Sequence, residues 1–360
     1  MKKILLILVG NIIYDARVSK EIDSLLKFGY KVVLVQTEVI PEKYCPNYKI
    51  YTIKKRRTDR MTFSKLYDIC KFSTQLKHII KIEKPDYIHC NDIQALVYAL
   101  RFINNEKVVY DSHELAAECV SGLMGVISSR VEKFLLPKLH AVIIPQIDRL
   151  RYFCFRNPAA KGKVHLLENF PTRFEIDNSD LIKDVLGIDR GSNKVALYTG
   201  ILNDERKVKE IVNSMVGTEN IILVMVGFCT NSYKNELMQI INRNALNEQV
   251  YICDPQPHGI IKKLASCADI GICFYEDPNL NSYFCASNKL YELMDSGTLV
   301  LTNDTVGASR VVKPENGICI ETVTVENIRK GLSYLSTCQN APRMNYYWES
   351  QEEVLKDIYK

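Results

Sequence analysis

The feature that most constrains the fold is a regular alternation of short apolar runs with longer segments of helical periodicity. The first run, residues 4–9, is continuously apolar, which is typical of a strand buried on both faces of a parallel sheet. The next segment places Val18, Ile22 and Leu25 on one helical face, and Gly29 separates it from a second apolar run at residues 32–35. The chain is therefore predicted to begin as a β-α-β unit with Gly10 at its first turn.

The alternation runs in two series, one on either side of the turn-forming segment 169–171. Each series predicts a doubly wound parallel sheet, so the expected fold class is α/β with two facing Rossmann-like domains. The predicted domains span residues 1–171 and 172–341, and residues 342–360 contain a charged C-terminal helix, at 345–359, that packs back on the first domain. The predicted strands are residues 4–9, 32–35, 51–53, 87–90, 108–110, 142–144, 164–167, 195–198, 221–226, 250–253, 270–273, 299–302 and 318–320.

Bulk composition excludes several classes of protein. No run approaches the roughly twenty apolar residues of a membrane span, and the first run is too short for the core of a signal peptide, so we expect a cytoplasmic, soluble or peripheral protein. The twelve cysteines include no CxxC pair and the six histidines no HxxxH spacing, so reduced thiols and no metal site are expected. His89 lies within an apolar strand and is expected in the core. The first turn lacks GxGxxG, which disfavours a dinucleotide-binding domain.

Charge is divided unevenly between the two halves. Residues 1–170 hold 28 Lys and Arg against 17 Asp and Glu, whereas residues 171–360 hold 19 against 25. A basic half joined to an acidic half indicates an anionic partner that contacts mainly the first half. A phosphorylated metabolite, an anionic membrane and nucleic acid would all fit. Nucleic acid is not expected, because the basic residues lack interleaved aromatics and no recognition motif is present.

Polar residues follow several predicted strands of the first domain. Asn91, Asp111, His113 and Glu114 fall at carboxyl ends, the edge where parallel sheets bind ligands. His113 could donate a hydrogen bond or act as acid or base, although a loop histidine of this kind is also often structural. Arg17, in the first turn of the first helix, places a cation against the helix dipole and is expected to point towards a ligand.

In the second domain, Gly200 ends the first strand and two cations follow it. Arg206 and Lys207 are predicted to open a helix, where positive side chains oppose the dipole, and a bound anion would explain them. Two solvated basic residues would produce the same pattern.

A second anion-binding helix is predicted over residues 288–296. Ser287 is its N-cap and Gly297 follows its last turn. The N-terminal amides around Asn288 and Lys289 suit a pyrophosphate. Glu292, one turn further on, can accept hydrogen bonds from two ribose hydroxyls, although an exposed glutamate could equally be solvated surface.

These motifs together resemble those of GT-B glycosyltransferases of family 4, across nearly the whole chain. The most specific match is the helix that begins after Ser287. The matching segments are DARVSKE at 15–21, YDSHEL at 110–115, YTG at 198–200 with Arg206 and Lys207, ADIGI at 268–272 and SNKLYELMDSG at 287–297.

The resemblance implies metal-independent transfer of a sugar from a UDP- or GDP-linked donor, with retention of anomeric configuration, to a glycan or lipid-linked acceptor in surface polysaccharide synthesis. The nucleotide sugar is a substrate, and no cofactor is expected. The first domain would face the acceptor and the second would hold the donor. Catalytic roles are implied for His113, beside the donor sugar, and for Arg206 and Lys207, on the diphosphate. Substrate-binding roles are implied for Gly10, Arg17, Asn91, Asp111, Glu114, Gly200, Ser287, Asn288, Lys289 and Glu292.

Three questions stay open at this point. A nucleotide-sugar epimerase of similar form, or a degenerate transferase that only binds a nucleotide or a partner, would share these motifs. Many family members carry a glutamate where this chain has Phe284, so the sugar is not defined. Finally, Lys54, Lys55, Arg56, Arg57 and Arg60 precede apolar Met61, Phe63 and Leu66, a pattern of either a surface that contacts an anionic membrane or a solvated loop.

Overall fold

A computed structural model describes residues 1–360 except 42, 43, 45, 55–62, 105, 106, 116, 117, 119–122, 175–180 and 276–279. It divides the chain into two compact units, unit 1 (residues 1–169 and 348–360) and unit 2 (residues 170–347). Except for Lys54, the proposed membrane-contact segment 54–60 lies outside the described residues, as does the neighbouring Met61.

Unit 1 contains a seven-stranded parallel sheet in the order β3-β2-β1-β4-β5-β6-β7. Among its described residues, five helices follow strands, and a sixth, α6, lies in the segment 348–360. The strands are β1 (Lys3–Leu8), β2 (Lys31–Gln36), β3 (Lys49–Thr52), β4 (Tyr87–Asn91), β5 (Lys107–Asp111), β6 (Ala141–Ile144) and β7 (Val164–Leu166). The helices are α1 (Ala16–Lys27), α2 (Phe63–Glu83), α3 (Asp92–Tyr98), α4 (Leu123–Leu135), α5 (Ile147–Arg156) and α6 (Glu353–Ile358).

Unit 2 contains a six-stranded parallel sheet in which the numbers of the strands are continued, in the order β10-β9-β8-β11-β12-β13. The strands are β8 (Lys194–Thr199), β9 (Ile221–Val226), β10 (Val250–Cys253), β11 (Ile270–Cys273), β12 (Leu299–Asn303) and β13 (Gly317–Ile320). The helices, lettered αA to αH, are αA (Leu181–Leu186), αB (Val208–Ser214), αC (Asn231–Arg243), αD (His258–Cys267), αE (Leu280–Tyr283), αF (Asn288–Asp295), αG (Val306–Val311) and αH (Val325–Ser336).

The predicted fold class is confirmed, since both units are Rossmann-like and all thirteen predicted strands are present. Continuous apolar runs form the central strands because these are covered on both faces, as the buried pattern of β1 and β9 shows. Among the described residues, no helix is long and apolar enough to cross a membrane, and the cysteines are free thiols.

Two predicted helices differ from those observed. The C-terminal segment forms a 3₁₀ turn at Trp348–Ser350 and then only α6, because buried Trp348 and Glu352 tie it by hydrogen bonds to Ser24 of α1. The segment at 204–207 does not open a helix either. Asp204–Arg206 is a 3₁₀ turn, Lys207 is left-handed with φ 56°, and αB begins after it.

Candidate functional site

In unit 2 the candidate site lies where the strand order reverses, between β8 and β11. Doubly wound sheets bind ligands outside the carboxyl ends of the strands at such a point. β8 ends at Thr199, whose carbonyl accepts a hydrogen bond of 2.8 Å from Nζ of Lys289. A Cβ added to Gly200 would lie 2.0 Å from the same Nζ. The absence of a side chain at Gly200 thus leaves room for the Lys289 ammonium at this edge.

A second cation, Arg206, lies at the same edge. Its guanidinium carbon is 4.3 Å from the ring centroid of Tyr275, which follows β11. Asn303 holds the Tyr275 backbone by accepting from its N–H at 2.8 Å and donating to its carbonyl at 3.1 Å. Burial, with a contribution from the charge of Arg206, lowers the pKa of Lys289. Neither cation forms an ion pair within the described part of the chain, so the described residues of this edge include two cations without a salt bridge.

Lys207 follows Arg206 directly in the chain. It precedes αB in the left-handed conformation, and its Nζ lies 3.9 Å from Oε1 of Glu210. The sequence predicts a joint role for Arg206 and Lys207, and the structure adds Lys289, on which the charge of Arg206 acts. Arg206 and Lys289 are 83 positions apart in the chain, so local spacing could not reveal the pairing.

The helix αF provides the other polar groups of the site. Ser287 is its N-cap, and its Oγ accepts from the N–H of Leu290 at 3.3 Å. The amides of Asn288 and Lys289 belong to the first turn, where N–H groups have no acceptor inside the helix. Glu292 is buried, 7% exposed, and accepts a hydrogen bond of 2.8 Å from Nε2 of His258 at the start of αD. The edge therefore presents donors and cations at one end and a carboxylate one turn further on.

Unit 1 has a different set of groups at its own reversal point, between β1 and β4. Arg17 is buried and binds both oxygens of buried Asp111, at 2.8 Å from Nε and 3.0 Å from Nη2. Its Nη1 also donates to the carbonyl of Leu167 at 3.0 Å. Burial opposes ionisation of Asp111, but the charges of Arg17 and His113 hold the pKa of this carboxyl well below its usual value. Asp111 is thus a fixed anion.

His113 lies between two carboxylates. Its Nε2 is 3.2 Å from Oδ2 of Asp111 and its Nδ1 is 3.6 Å from Oδ2 of Asp92. Burial lowers its pKa, but the charges of Asp111 and Asp92 outweigh this and raise it to about 9. The carbonyl of His113 accepts from Nη1 of Arg149 at 2.9 Å. His113, 17% exposed in its side chain, is therefore a positively charged hydrogen-bond donor at neutral pH.

The remaining predicted residues of unit 1 are Asn91, Gly10 and Glu114, for which no ion pair with Asp111 or His113 is found among the described residues. Asn91 donates to the carbonyl of Ile7 at 3.1 Å, and its buried Oδ1 has no hydrogen-bond partner in the described structure. Gly10 follows β1, and its carbonyl accepts from the N–H of Glu38. The side chain of Glu114 is exposed, and only its carbonyl is fixed, by Oγ of Ser112 at 2.6 Å.

Behind Asp111 lie two further buried groups, Glu21 and His89. Oxygen and nitrogen atoms of Glu21, His89 and Asp111 lie within 4.8 Å of one another, a spacing that would suit a metal ion. The guanidinium of Arg17, however, binds Asp111 and lies 3.3 Å from Glu21. The positive charge of Arg17 already lies beside both carboxyl groups, so the cluster is an internal ion-pair network around the guanidinium and does not fit a metal. The expectation of metal-independent chemistry remains a prediction.

Sequence reasoning did not find several of these neighbours. Tyr275 and His258 both follow strands of unit 2 at the carboxyl edge, so the rule that identified Asn91 could have found them. Glu21 lies one helical turn after Arg17, a spacing that indicates contact on one face. Tyr359, which hydrogen-bonds His89, is far away in the sequence and gave no local signal.

Comparison with known proteins gives information on the fold alone. No family model matches the chain, and no curated protein matches it. Among solved structures, sucrose-phosphate synthase from Thermosynechococcus elongatus is similar, with a TM-score of 0.70 at 16% identity over 100% of this chain and 95% of that chain. HepE from Anabaena, in complex with UDP and glucose, has a TM-score of 0.70 at 15% identity over 100% and 94%.

An epimerase shares the architecture as well. UDP-GlcNAc 2-epimerase from Methanocaldococcus jannaschii has a TM-score of 0.68 at 13% identity, over 99% of each chain. The resemblance to the GT-B fold is thereby confirmed: the chain contains two Rossmann-like parallel-sheet domains like those of these proteins. At such identities the similarity does not extend to activity.

Proposed function

We propose that this chain is a glycosyltransferase that transfers a sugar from a nucleotide-sugar donor, without a metal and with retention of configuration. The observation that carries the proposal is the cationic edge of unit 2, where neither Arg206 nor Lys289 forms an ion pair among the described residues. Arg206, Lys289 and the first turn of αF offer positive charge and N–H donors, and Glu292 lies one turn further on. A nucleoside diphosphate has matching parts, since its phosphates are anionic and its ribose presents two hydroxyls.

The proposed mechanism is stabilisation of a leaving group. As the glycosidic bond breaks, negative charge grows on the departing diphosphate, and fixed donors stabilise it more strongly than they stabilise the bound donor. Arg206 and Lys289 supply that charge, and we retain Lys207 as a weaker contributor because Glu210 competes for it. The known complex of HepE with UDP-glucose supports a uridine-linked donor. No nucleophile from the protein is required.

For unit 1 we propose that His113 donates a hydrogen bond to the donor sugar, since it is protonated at neutral pH. Arg17 and Asp111 are then positioning residues, because they are buried and act through His113. We assign Gly10, Asn91 and Glu114 to the binding of the acceptor, a glycan or a lipid-linked sugar, in surface polysaccharide synthesis.

Thermal unfolding in the presence of nucleoside diphosphates and nucleotide sugars tests the proposal. A ligand at a hundred times its dissociation constant stabilises the native state by about 2.7 kcal/mol. We expect UDP or GDP and the matching nucleotide sugar to raise the melting temperature, and transfer to follow with a suitable acceptor. No stabilisation by any nucleotide would contradict the proposal, and binding without turnover would favour a degenerate transferase.

The epimerase is the second candidate, because an epimerase shares the fold over nearly its full length. Interconversion of free nucleotide sugars in the absence of any acceptor would support it. Such a reaction needs acid and base groups around the sugar, whereas His113 is held in its acidic form by two carboxylates.

We further propose a cytoplasmic protein that associates with the anionic inner face of a membrane through the basic segment 54–60. Each lysine or arginine near such a surface contributes about 1 kcal/mol. The protein should sediment with anionic vesicles at low salt and be released as salt screens the charges. Replacing Lys54, Lys55, Arg56, Arg57 and Arg60 with glutamine should abolish sedimentation and leave nucleotide binding intact. Equal sedimentation with neutral vesicles would contradict the proposal.

A further inference from the structure

The last residues of the chain reach the buried ion-pair network of unit 1. Tyr359 is fully buried, and its hydroxyl hydrogen-bonds Nδ1 of His89. Its ring packs edge-on against Tyr87 with centroids 5.1 Å apart, and its carbonyl accepts from Nζ of Lys2 at 3.1 Å. Tyr87 also donates to the carbonyl of Lys360 at 2.9 Å. Ring packing and the hydrogen bonds to the carbonyls of Tyr359 and Lys360 thus hold the Tyr359 side chain in place.

This contact defines the tautomer of His89. A buried hydroxyl needs an acceptor for its proton, and among the described residues Nδ1 of His89 is the sole hydrogen-bond partner of the Tyr359 hydroxyl. Burial lowers the pKa of His89 to about 4, so the imidazole is neutral near pH 7 and carries one proton. If Nδ1 accepts, that proton is on Nε2.

The Nε2–H group faces the carboxylates of the network. Nε2 lies 3.4 Å from Oε2 of Glu21 and 4.0 Å from Oδ2 of Asp111. The same Oδ2 atom of Asp111 lies 3.2 Å from Nε2 of His113. The opposite tautomer would direct a lone pair at these oxygens and make the surroundings of Asp111 more negative.

We propose that Tyr359 is a positioning residue for His113. By donating a hydrogen bond to Nδ1 of His89, Tyr359 holds the tautomer whose Nε2–H group faces Glu21 and Asp111. This N–H group in turn sets the electrostatic environment of Asp111, which forms the ion pair with His113. The series Tyr359–His89–Asp111–His113 connects Tyr359 to a residue at the carboxyl edge of the first sheet. No step of it depends on the proposed function.

Glu21 is the group that competes with Tyr359 for control of His89. Burial, followed by the charge of Asp111, raises the pKa of Glu21 well above its usual value, and a neutral carboxyl can donate to a ring nitrogen. Without the tyrosine hydroxyl, donation from Glu21 to Nε2 favours the opposite tautomer. The titratable and charged groups that face His113 are Asp111 on β5, Asp92 on α3, Arg17 and Glu21 on α1, His89 on β4 and Arg149 on α5.

Nitrogen NMR of the full chain with isotopically labelled histidine tests the proposal directly, and the six histidines make assignment by substitution practicable. In the wild-type protein we expect His89 to show a protonated Nε2 and an unprotonated Nδ1. The reverse pattern would overturn the proposal without any variant, so the test does not depend on a substituted protein that folds.

Tyr359→Phe removes the hydroxyl and keeps the ring. We expect the His89 tautomer to change and the titration midpoint of His113 to rise by roughly 0.5 pH unit, because a lone pair replaces an N–H group beside Asp111. Tyr30→Phe is the matched control, since the Tyr30 ring packs against Tyr359 with centroids 6.0 Å apart. An unchanged tautomer, an unchanged midpoint, or an equal change in the control would overturn the proposal.

A double substitution separates positioning from packing. In His89→Gln the side-chain amide keeps an N–H group near the place of Nε2 and has no tautomers. The double variant with Tyr359→Phe and His89→Gln should therefore have the same His113 titration midpoint as His89→Gln alone. A further shift would mean that Tyr359 acts on His113 by another route and would overturn the proposal.

Turnover provides a last measurement, and it alone rests on the proposed function. The alkaline limb of kcat should move with the His113 midpoint in Tyr359→Phe. A limb that stays fixed while the midpoint moves would overturn the positioning role of Tyr359 in catalysis. Absence of any turnover in the wild-type protein would count against the proposed function instead, and the NMR measurements would still decide the inference.

Discussion

The two reversal points of the sheets carry charge in opposite ways. In unit 1, Arg17, Asp111 and His113 are paired with one another, and Asp111 is fully buried. In unit 2, Arg206 and Lys289 lie close together without an ion pair among the described residues. The cations of the first set form ion pairs with Asp111, whereas the two cations of the second set form none among the described residues.

This difference predicts which sheet edge contributes mainly to the stability of the fold and which contributes mainly to ligand binding. A buried ion pair strongly destabilises a protein when one partner is removed, because an uncompensated charge stays behind. Removing one of two cations that repel each other costs the folded protein little stability, whereas a bound anion stabilises both cations. Substitutions in unit 1 should therefore affect stability first, and those in unit 2 should affect ligand binding and turnover first.

The sharpest test of this contrast is the loss of Asp111. Asp111→Asn leaves Arg17 buried without its anion and should lower the free energy of unfolding by about 3 to 5 kcal/mol. Lys289→Met in unit 2 should change it by less than about 1 kcal/mol. Urea denaturation measures both. Similar losses in the two variants would remove the distinction between a paired and an unpaired edge.

Stability should also depend on pH through His113. Its folded-state pKa is raised to about 9 from an ordinary 6.5, so its contribution is fully present below the unfolded value and is lost as pH rises through the folded value. Between about pH 6 and about pH 10, the stability advantage of the wild type over His113→Gln should shrink by on the order of 3 kcal/mol. An advantage that is independent of pH would show that His113 is not held as a cation.

For unit 2, the expected effect is on turnover. Replacing Arg206 and Lys207 together with alanine should lower kcat by about a hundredfold, because both act where charge grows on the diphosphate. Lys207→Ala alone should cause less than half of this decrease in kcat, because Lys207 already forms an ion pair with Glu210. A rise in KM with unchanged kcat would mean that these cations only bind the donor.

The fold was predictable because apolar runs report burial directly, and residues 221–226 are as buried as their sequence indicates. The contacts between residues within each site were less predictable. Arg206 and Lys207 are neighbours in sequence, yet the charge of Arg206 also acts on Lys289, which lies much further along the chain. No local pattern encodes such a contact.

The same limit applied to the buried charges of unit 1. His89 was predicted to be core on the basis of its apolar neighbours, and it is fully buried. Its polar neighbours, however, include Glu21 on α1, Asp111 on β5 and Tyr359, all distant from it in the sequence. Periodicity identifies a buried position but does not identify the side chains that contact it.

Glu292 tests the nucleoside end of the site in unit 2. Glu292→Ala should weaken binding of the donor and of free nucleoside diphosphate alike, because it removes charge-assisted hydrogen bonds to the ribose worth about 1.5 to 3 kcal/mol. Exposed Glu248→Ala is the control. Calorimetric titration with UDP measures the change, and an unaltered affinity in a folded Glu292→Ala protein would contradict the ribose assignment.

The smallest expected effect concerns His258, which donates to Glu292 at 2.8 Å. This hydrogen bond orients the carboxylate before any ribose arrives, so its loss should cost less than loss of the carboxylate itself. His258→Ala should weaken UDP binding by about 0.5 to 1.5 kcal/mol, the usual net contribution of one hydrogen bond, and should weaken binding of 2′-deoxy-UDP less. His258→Gln keeps a donor and should restore much of the affinity, and exposed His78→Ala is the control. Equal losses for both nucleotides would show that His258 acts elsewhere than through Glu292 and the ribose.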